Sequence, residues 1–85
     1  MNKICLSVDI GSKNIVIANK ESQVLLNEPC VVATANQNSK FINVACGTEA
    51  ISYVSKNNNS QLIYPIKNGS VDNEGAFVYI IKTFI

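Results

Sequence analysis

Val8-Asp9-Ile10-Gly11-Ser12-Lys13-Asn14-Ile15-Val16-Ile17-Ala18 sets an apolar, β-branched run on each side of four polar residues. Such runs favour strands, and a short polar connection between two of them predicts a β-hairpin. Gly11 permits close backbone approach at the turn, where successive N–H groups can converge into a nest for phosphate oxygens. Ser12 adds a hydroxyl donor, and Lys13 or Asn14 a further polar contact. Asp9, at the strand end, is placed to hold a Mg²⁺ ion through water, because Mg²⁺ keeps several of its waters. The same residues, Asp9 to Asn14, also fit an ordinary polar hairpin turn whose aspartate caps the loop. On this string alone both readings stand.

Working outward, the first strand is expected from Ile4 to Ile10 and the second over Ile15–Ala18, with Lys20–Gln23 as a polar connection to Val24-Leu25-Leu26. Asn27-Glu28-Pro29 interrupts that run, since Pro cannot donate to a ladder, and Cys30–Thr34 follows. Asn36–Lys40 reads as a loop and Phe41–Cys46 as a short strand. Gly47-Thr48-Glu49 predicts a turn and N-cap, with Ile51 and Val54 on one helical face and Asn57–Ser60 ending the helix. Leu62–Ile66 is strand-like although Pro65 weakens its centre, and Asn68-Gly69 signals a turn. Asp72 or Asn73 caps a final helix in which Ala76, Phe77, Ile80, Ile81 and Phe84 form one broad apolar face. Val78, Tyr79 and Ile85 add apolar groups elsewhere on it, so this helix expects cover from several directions. The order is βββ-β-α-β-α, with no internal repeat and no linker.

The 85 residues are 47% hydrophobic and 15% charged, which fits a globular chain and not a disordered one. Seven lysines against six acids leave a net charge of +1, so no electrostatic footprint for nucleic acid is present. There is no Arg and no His, which removes arginine clamps and the commonest general base and zinc ligand. Cys5, Cys30 and Cys46 lie inside apolar runs and read as small buried hydrophobes rather than disulfide partners or metal ligands. Free thiols and the absence of an export signal predict a cytoplasmic setting. Glu28 reads as a solvated loop residue and Glu49 as a first-turn helical acid; Asp72 and Glu74, after a turn, have the same explanation. Tyr53, Tyr64, Tyr79, Phe41, Phe77 and Phe84 read as packing groups.

Four segments, taken together, resemble the MreB family of bacterial actin homologues that determine rod shape. VDIGSKNIVIA (8–18) is similar to the family's first phosphate loop, and VLLNEPCVVA (24–33) carries its L-N-E-P core. CGTEA (46–50) resembles V-G-x-E-A, and YPIKNGSVDN (64–73) resembles R-P-M-x-D-G-V-I-A-D. Departures are Cys30 for a usual Ser, Tyr64 for Arg, Ser70 for an aliphatic residue, and Glu74-Gly75 for an aromatic and an acid.

The resemblance implies an α+β or α/β chain forming the N-terminal part of the actin-like ATPase (ribonuclease H-like) fold. Residues 1–85 then make a single incomplete domain. Subdomain IA, a hairpin, a third strand and a returning helix, takes about 1–26 and 65–85; the small subdomain IB takes about 27–64. By the same resemblance the cofactors are ATP and Mg²⁺, with Asp9 near the metal and Gly11, Ser12 and Asn14 lining the β- and γ-phosphates. Lys13 stands beside them where the family usually has a small residue. Asn27–Ala33 and the IB strands are implied in subunit contacts along a filament, with membrane and cell-wall elongation proteins as further partners of the longer protein and its filaments membrane-associated. The second phosphate loop, the adenosine site and the catalytic carboxylate of the family lie beyond this stretch. The chain alone is therefore expected neither to hydrolyse ATP nor to polymerise normally. Two alternatives are a free-standing module docking on actin-like filaments, which co-sedimentation discriminates, and part of another actin/heat-shock-chaperone superfamily ATPase.

Overall fold

The computed structural model describes residues 6–21 and 23–85. Ile4 and Cys5, at the start of the expected first strand, and Ser22 of the second polar connection lie outside the described residues.

Strands β1 (Leu6–Ile10), β2 (Asn14–Asn19) and β3 (Val24–Pro29) form an antiparallel sheet in the order β1-β2-β3. Strands β4 (Val32–Gln37), β5 (Lys40–Cys46) and β6 (Ser60–Ile63) form a second sheet in the order β5-β4-β6. Helix α1 (Thr48–Lys56) connects β5 to β6. A small hairpin of β7 (Ile66–Lys67) and β8 (Ser70–Val71) leads into α2 (Glu74–Phe84).

The central strand explains the architecture. Cys30–Ala35 is buried throughout, and alternate residues belong to different cores. Cys30 and Val32 join Ile15, Ile17, Cys46, Ile66, Ala76 and Ile80 in the cluster that includes α2. Val31 and Ala33 join Ala45 and Ala50, with Tyr53, Val54 and Leu62, in the cluster under α1. The short lead-in to β4 and the start of β4 are covered on both faces, and such a stretch reads as continuous apolar sequence, as Cys30-Val31-Val32-Ala33 does. Ile15 and Ile80 are fully buried, each contributing about 1.5–3 kcal/mol.

Several expectations are corrected. The run from Val24 does not stop at Leu26: it pairs with β2 through Pro29, because Pro29 lies on an edge strand where a missing donor is tolerated. Pro29 ends that strand, and the chain reaches β4 only at Val32, so five strands precede α1 instead of four. The expected loop 36–40 is a tight turn, with Asn38 (φ 51°) and Ser39 (φ 67°) in the left-handed region that suits hairpins. The strand expected over 62–66 breaks at Tyr64-Pro65; Ile66 and Lys67 pair instead with Val71 and Ser70 around Asn68-Gly69. Phe41 and Tyr64 are exposed, not packed, whereas Tyr53, Phe77, Tyr79 and Phe84 are half-buried on the two cores. In α2 the predicted face is buried or half-buried, while Val78 and Ile85 are exposed.

Candidate functional site

Asp9 pairs with Val16 and Val16 with Asn27, so these three form a row across β1, β2 and β3. Alternation along each strand puts Asn14 on the same face as Val16. The structure thus brings Asp9, Asn14 and Asn27 to one side of the first sheet, beside the loop Gly11-Ser12-Lys13. Asn14 Nδ2 donates to Asn27 Oδ1 at 3.0 Å, tying the start of β2 to β3. Asp9, Ser12, Lys13, Asn14 and Asn27 are all exposed.

The backbone of the loop is pinned at both ends. Gly11 N–H donates to Asn14 C=O at 2.9 Å, closing the turn. Lys13 C=O accepts from Cys30 N–H at 2.8 Å, fastening the loop to the connection between β3 and β4. Among the described residues, the Ser12 and Lys13 N–H groups have no partner. The Gly11 N–H is therefore spent inside the turn, and the donors left for an anion are those of Ser12 and Lys13, with the Ser12 hydroxyl and the Lys13 ammonium. A Cβ at Gly11 would meet only Asn14 O at 3.6 Å. The turn itself does not need glycine there; close approach of a ligand would.

Asp9 contributes a single exposed carboxylate to this face. Among the described residues no group of three or more acidic or cysteine side chains gathers to hold a metal. One carboxylate suits Mg²⁺ held through water and by the phosphates of a nucleotide, not by a protein cage.

Glu28 is corrected from a solvated loop residue to a half-buried strand residue. It pairs with the fully buried Ile15, hence on the opposite face from Asn27, and its Oε1 accepts from Thr48 N–H at 2.9 Å. Within the expected turn and N-cap, Gly47 occupies the cap position and provides no side chain, so Glu28 supplies the oxygen from β3. Asn27 is the site residue that sequence reasoning missed. Its pairing with Val16, read together with strand alternation, is the signal that places it beside Asp9 and Asn14.

Elsewhere the polar groups have structural roles. Lys67 and Asp72 pair at 3.5 Å with both side chains exposed, and Asn73 caps α2 by accepting from Ala76 N–H at 2.9 Å. Cys30 and Cys46 are free and buried, and burial pushes both thiols up. At Cys46 a bond with Thr83 opposes this, while Glu49 and Glu28 add to it. Burial also raises Tyr79, with smaller contributions from Cys46 and Glu49.

The fold is that of the N-terminal part of an actin-like protein. It superposes on MreB 5 of Spiroplasma citri bound to AMPPNP with a TM-score of 0.71 at 24% identity, covering 96% of this chain and 24% of that one. Against MreB5 of Spiroplasma citri bound to ADP the TM-score is 0.70 at 25% identity, covering 92% and 23%. The family model described as MreB/Mbl protein matches residues 3–85. The chain is 33% identical over 81 residues to the cell shape-determining protein Mbl of Bacillus cereus and 32% identical to that of Bacillus subtilis. It belongs to the MreB/Mbl family. Each alignment covers 94% of this chain but 24% of the relative's length.

Proposed function

We propose that this chain is the N-terminal part of an ATP-binding, filament-forming MreB/Mbl protein that determines cell shape, and that the β1–β2 turn is its first phosphate loop. The observation carrying this reading is the pair of N–H groups at Ser12 and Lys13 that have no partner among the described residues, beside a face holding Asp9 and Asn14. Two adjacent N–H donors, a hydroxyl and an ammonium make a site for phosphate oxygens. When bound, Mg²⁺ would neutralise charge between phosphates, and Asp9 would hold its water shell. Asn14 would orient toward the phosphates from its anchor on Asn27. In this reading residues 1–85 form one wall of the nucleotide cleft. Hydrolysis and polymerisation then belong to the longer protein, acting as a membrane-associated filament in the cytoplasm.

Calorimetric titration of the full protein encoded at this locus with Mg-ATP tests the reading. Binding that is lost in Ser12→Pro supports it, because proline removes one of the two N–H donors. A folded full-length protein that takes up no Mg-ATP overturns it.

A further inference from the structure

Asn27 and Glu28 are consecutive on β3, and the strand's alternation sends their side chains to opposite faces. On one face Asn27 Oδ1 accepts from Asn14 in the β1–β2 connection at 3.0 Å. On the other, Glu28 Oε1 accepts from Thr48 N–H at the first turn of α1 at 2.9 Å. A parallel route runs through the backbone. Cys30 N–H donates to Lys13 C=O at 2.8 Å, and Gly47 N–H donates to Val31 C=O at 2.9 Å. Both routes begin in the loop of the first sheet and end at the N-terminus of the helix on the second.

The receiving end has little room to rearrange. A Cβ at Gly47 would lie 2.5 Å from Glu28 Oε1 and 2.8 Å from Phe84 Cζ, so Glu28, Gly47 and Phe84 are packed in contact. Gly47 offers no cap of its own, which leaves the first turn of α1 dependent on a carboxylate held by β3. A side chain whose position decides whether a helix is capped links the two elements energetically.

We propose that Asn27-Glu28 is a two-sided connector through which an anion held at the β1–β2 loop stabilises the first turn of α1. The inference rests on the nucleotide reading and adds to it a positioning role for Asn27 and a route into the second sheet. Phosphate oxygens on the Ser12 and Lys13 N–H groups fix the loop, and with it the Asn14 carboxamide. Asn14 holds Asn27 and therefore the setting of β3, which keeps Glu28 on the Thr48 N–H. The coupling is reciprocal: a nucleotide that favours the capped helix is bound more tightly when the cap is intact.

Hydrogen exchange of the full-length protein, with and without saturating Mg-ATP, tests this, with binding checked by calorimetry on the same samples. In the parent protein Mg-ATP is expected to slow exchange of the 48–50 amides by about fivefold, one hydrogen bond's worth. Asn27→Ala and Glu28→Ala should each remove that slowing, whereas Glu28→Gln, which keeps an acceptor oxygen, should retain it. Asn27 is exposed, so its substitution spares the core and decides the matter should Glu28→Ala not fold. If Asn27→Ala binds Mg-ATP and slows exchange at α1 like the parent, the connector is overturned while the nucleotide reading survives. A folded parent that binds no Mg-ATP overturns both.

Discussion

Glu28 on β3 caps α1 across a sequence gap of 20 residues, its Oε1 accepting from the Thr48 N–H at 2.9 Å. The first helical turn has unsatisfied N–H groups, and an acid there gains from the macrodipole as well. Glu49, also in that turn, adds a second acid. The cap comes from a distance because Gly47, at the N-cap, must be glycine: its backbone lies at φ 68°, ψ −144°, a region closed to other residues.

Gly47→Ala is therefore expected to be among the most destabilising single-methyl changes in the chain. The methyl would displace both Glu28 and the Phe84 ring while the backbone sits in a strained region. Strain of roughly 1–3 kcal/mol and a lost cap of roughly 0.5–2 kcal/mol together predict a loss of about 1.5–5 kcal/mol. The urea midpoint of the variant against the parent measures it, and a shift under about 0.5 kcal/mol, the size of an ordinary surface change, would sink the idea.

The cap of α2 is conventional and gives a smaller effect. Asn73 accepts from Ala76 N–H in extended backbone, so Asn73→Ala should lower stability by about 1 kcal/mol. Asn73→Asp keeps the oxygen and adds charge at the positive end of the helix, and should be neutral or stabilising. Thermal unfolding of the three proteins side by side provides the check; equal midpoints for Asn73→Ala and the parent count against the assignment.

These two caps show what was legible in the sequence. Asn73 acts on a residue three positions away, so local pattern was enough to propose it. The β1–β2 hairpin and the apolar face of α2 were legible for the same reason. Glu28 acts on a residue that only β3, β4 and β5 bring near, and no spacing in the sequence encodes that pairing. Pro29 pointed toward a break at Asn27, yet edge position lets β3 run through it, placing Asn27 and Glu28 in a ladder instead of a loop. Of the candidate site, Asp9 to Asn14 could be picked out as one string. That Gly11 spends its N–H within the turn, and that Asn27 joins Asn14, follow from strand register alone.

Burial of the two thiols predicts a pH dependence with a definite sign. Both cysteines have raised folded-state values, so the folded protein holds these protons more tightly than the unfolded chain. The stabilisation is fully present below the ordinary thiol pKa of about 8.5 and is lost as pH rises through the raised folded values. Stability should fall above that point, and Cys30→Ala combined with Cys46→Ala should flatten the fall. A residual slope remains from Tyr79, also raised by burial. Urea midpoints between pH 7 and 10 decide it: a double variant as steep as the parent refutes the attribution to the thiols.

Lys13 gives the sharpest test of how the loop meets its ligand. Its side chain is exposed while its carbonyl is fastened to Cys30 N–H at 2.8 Å, so Lys13→Ala removes the ammonium and leaves the loop backbone in place. On the nucleotide reading the ammonium adds an exposed attraction of about 1 kcal/mol or less, which predicts a loss of Mg-ATP affinity of up to about fivefold at low salt. The attraction is screened as salt rises, so the difference between variant and parent should shrink toward zero near 1 M salt, where the Debye length is about 3 Å. Asp9→Asn should behave differently, because it changes the partner of the metal's water shell and not the phosphate contact. Its expected signature is weakened ATP binding in the presence of Mg²⁺ and little change in its absence. Titrations of the full-length protein at two salt concentrations, with and without Mg²⁺, separate the two residues. Equal behaviour of Lys13→Ala and Asp9→Asn in all four conditions would remove the distinct roles assigned to them.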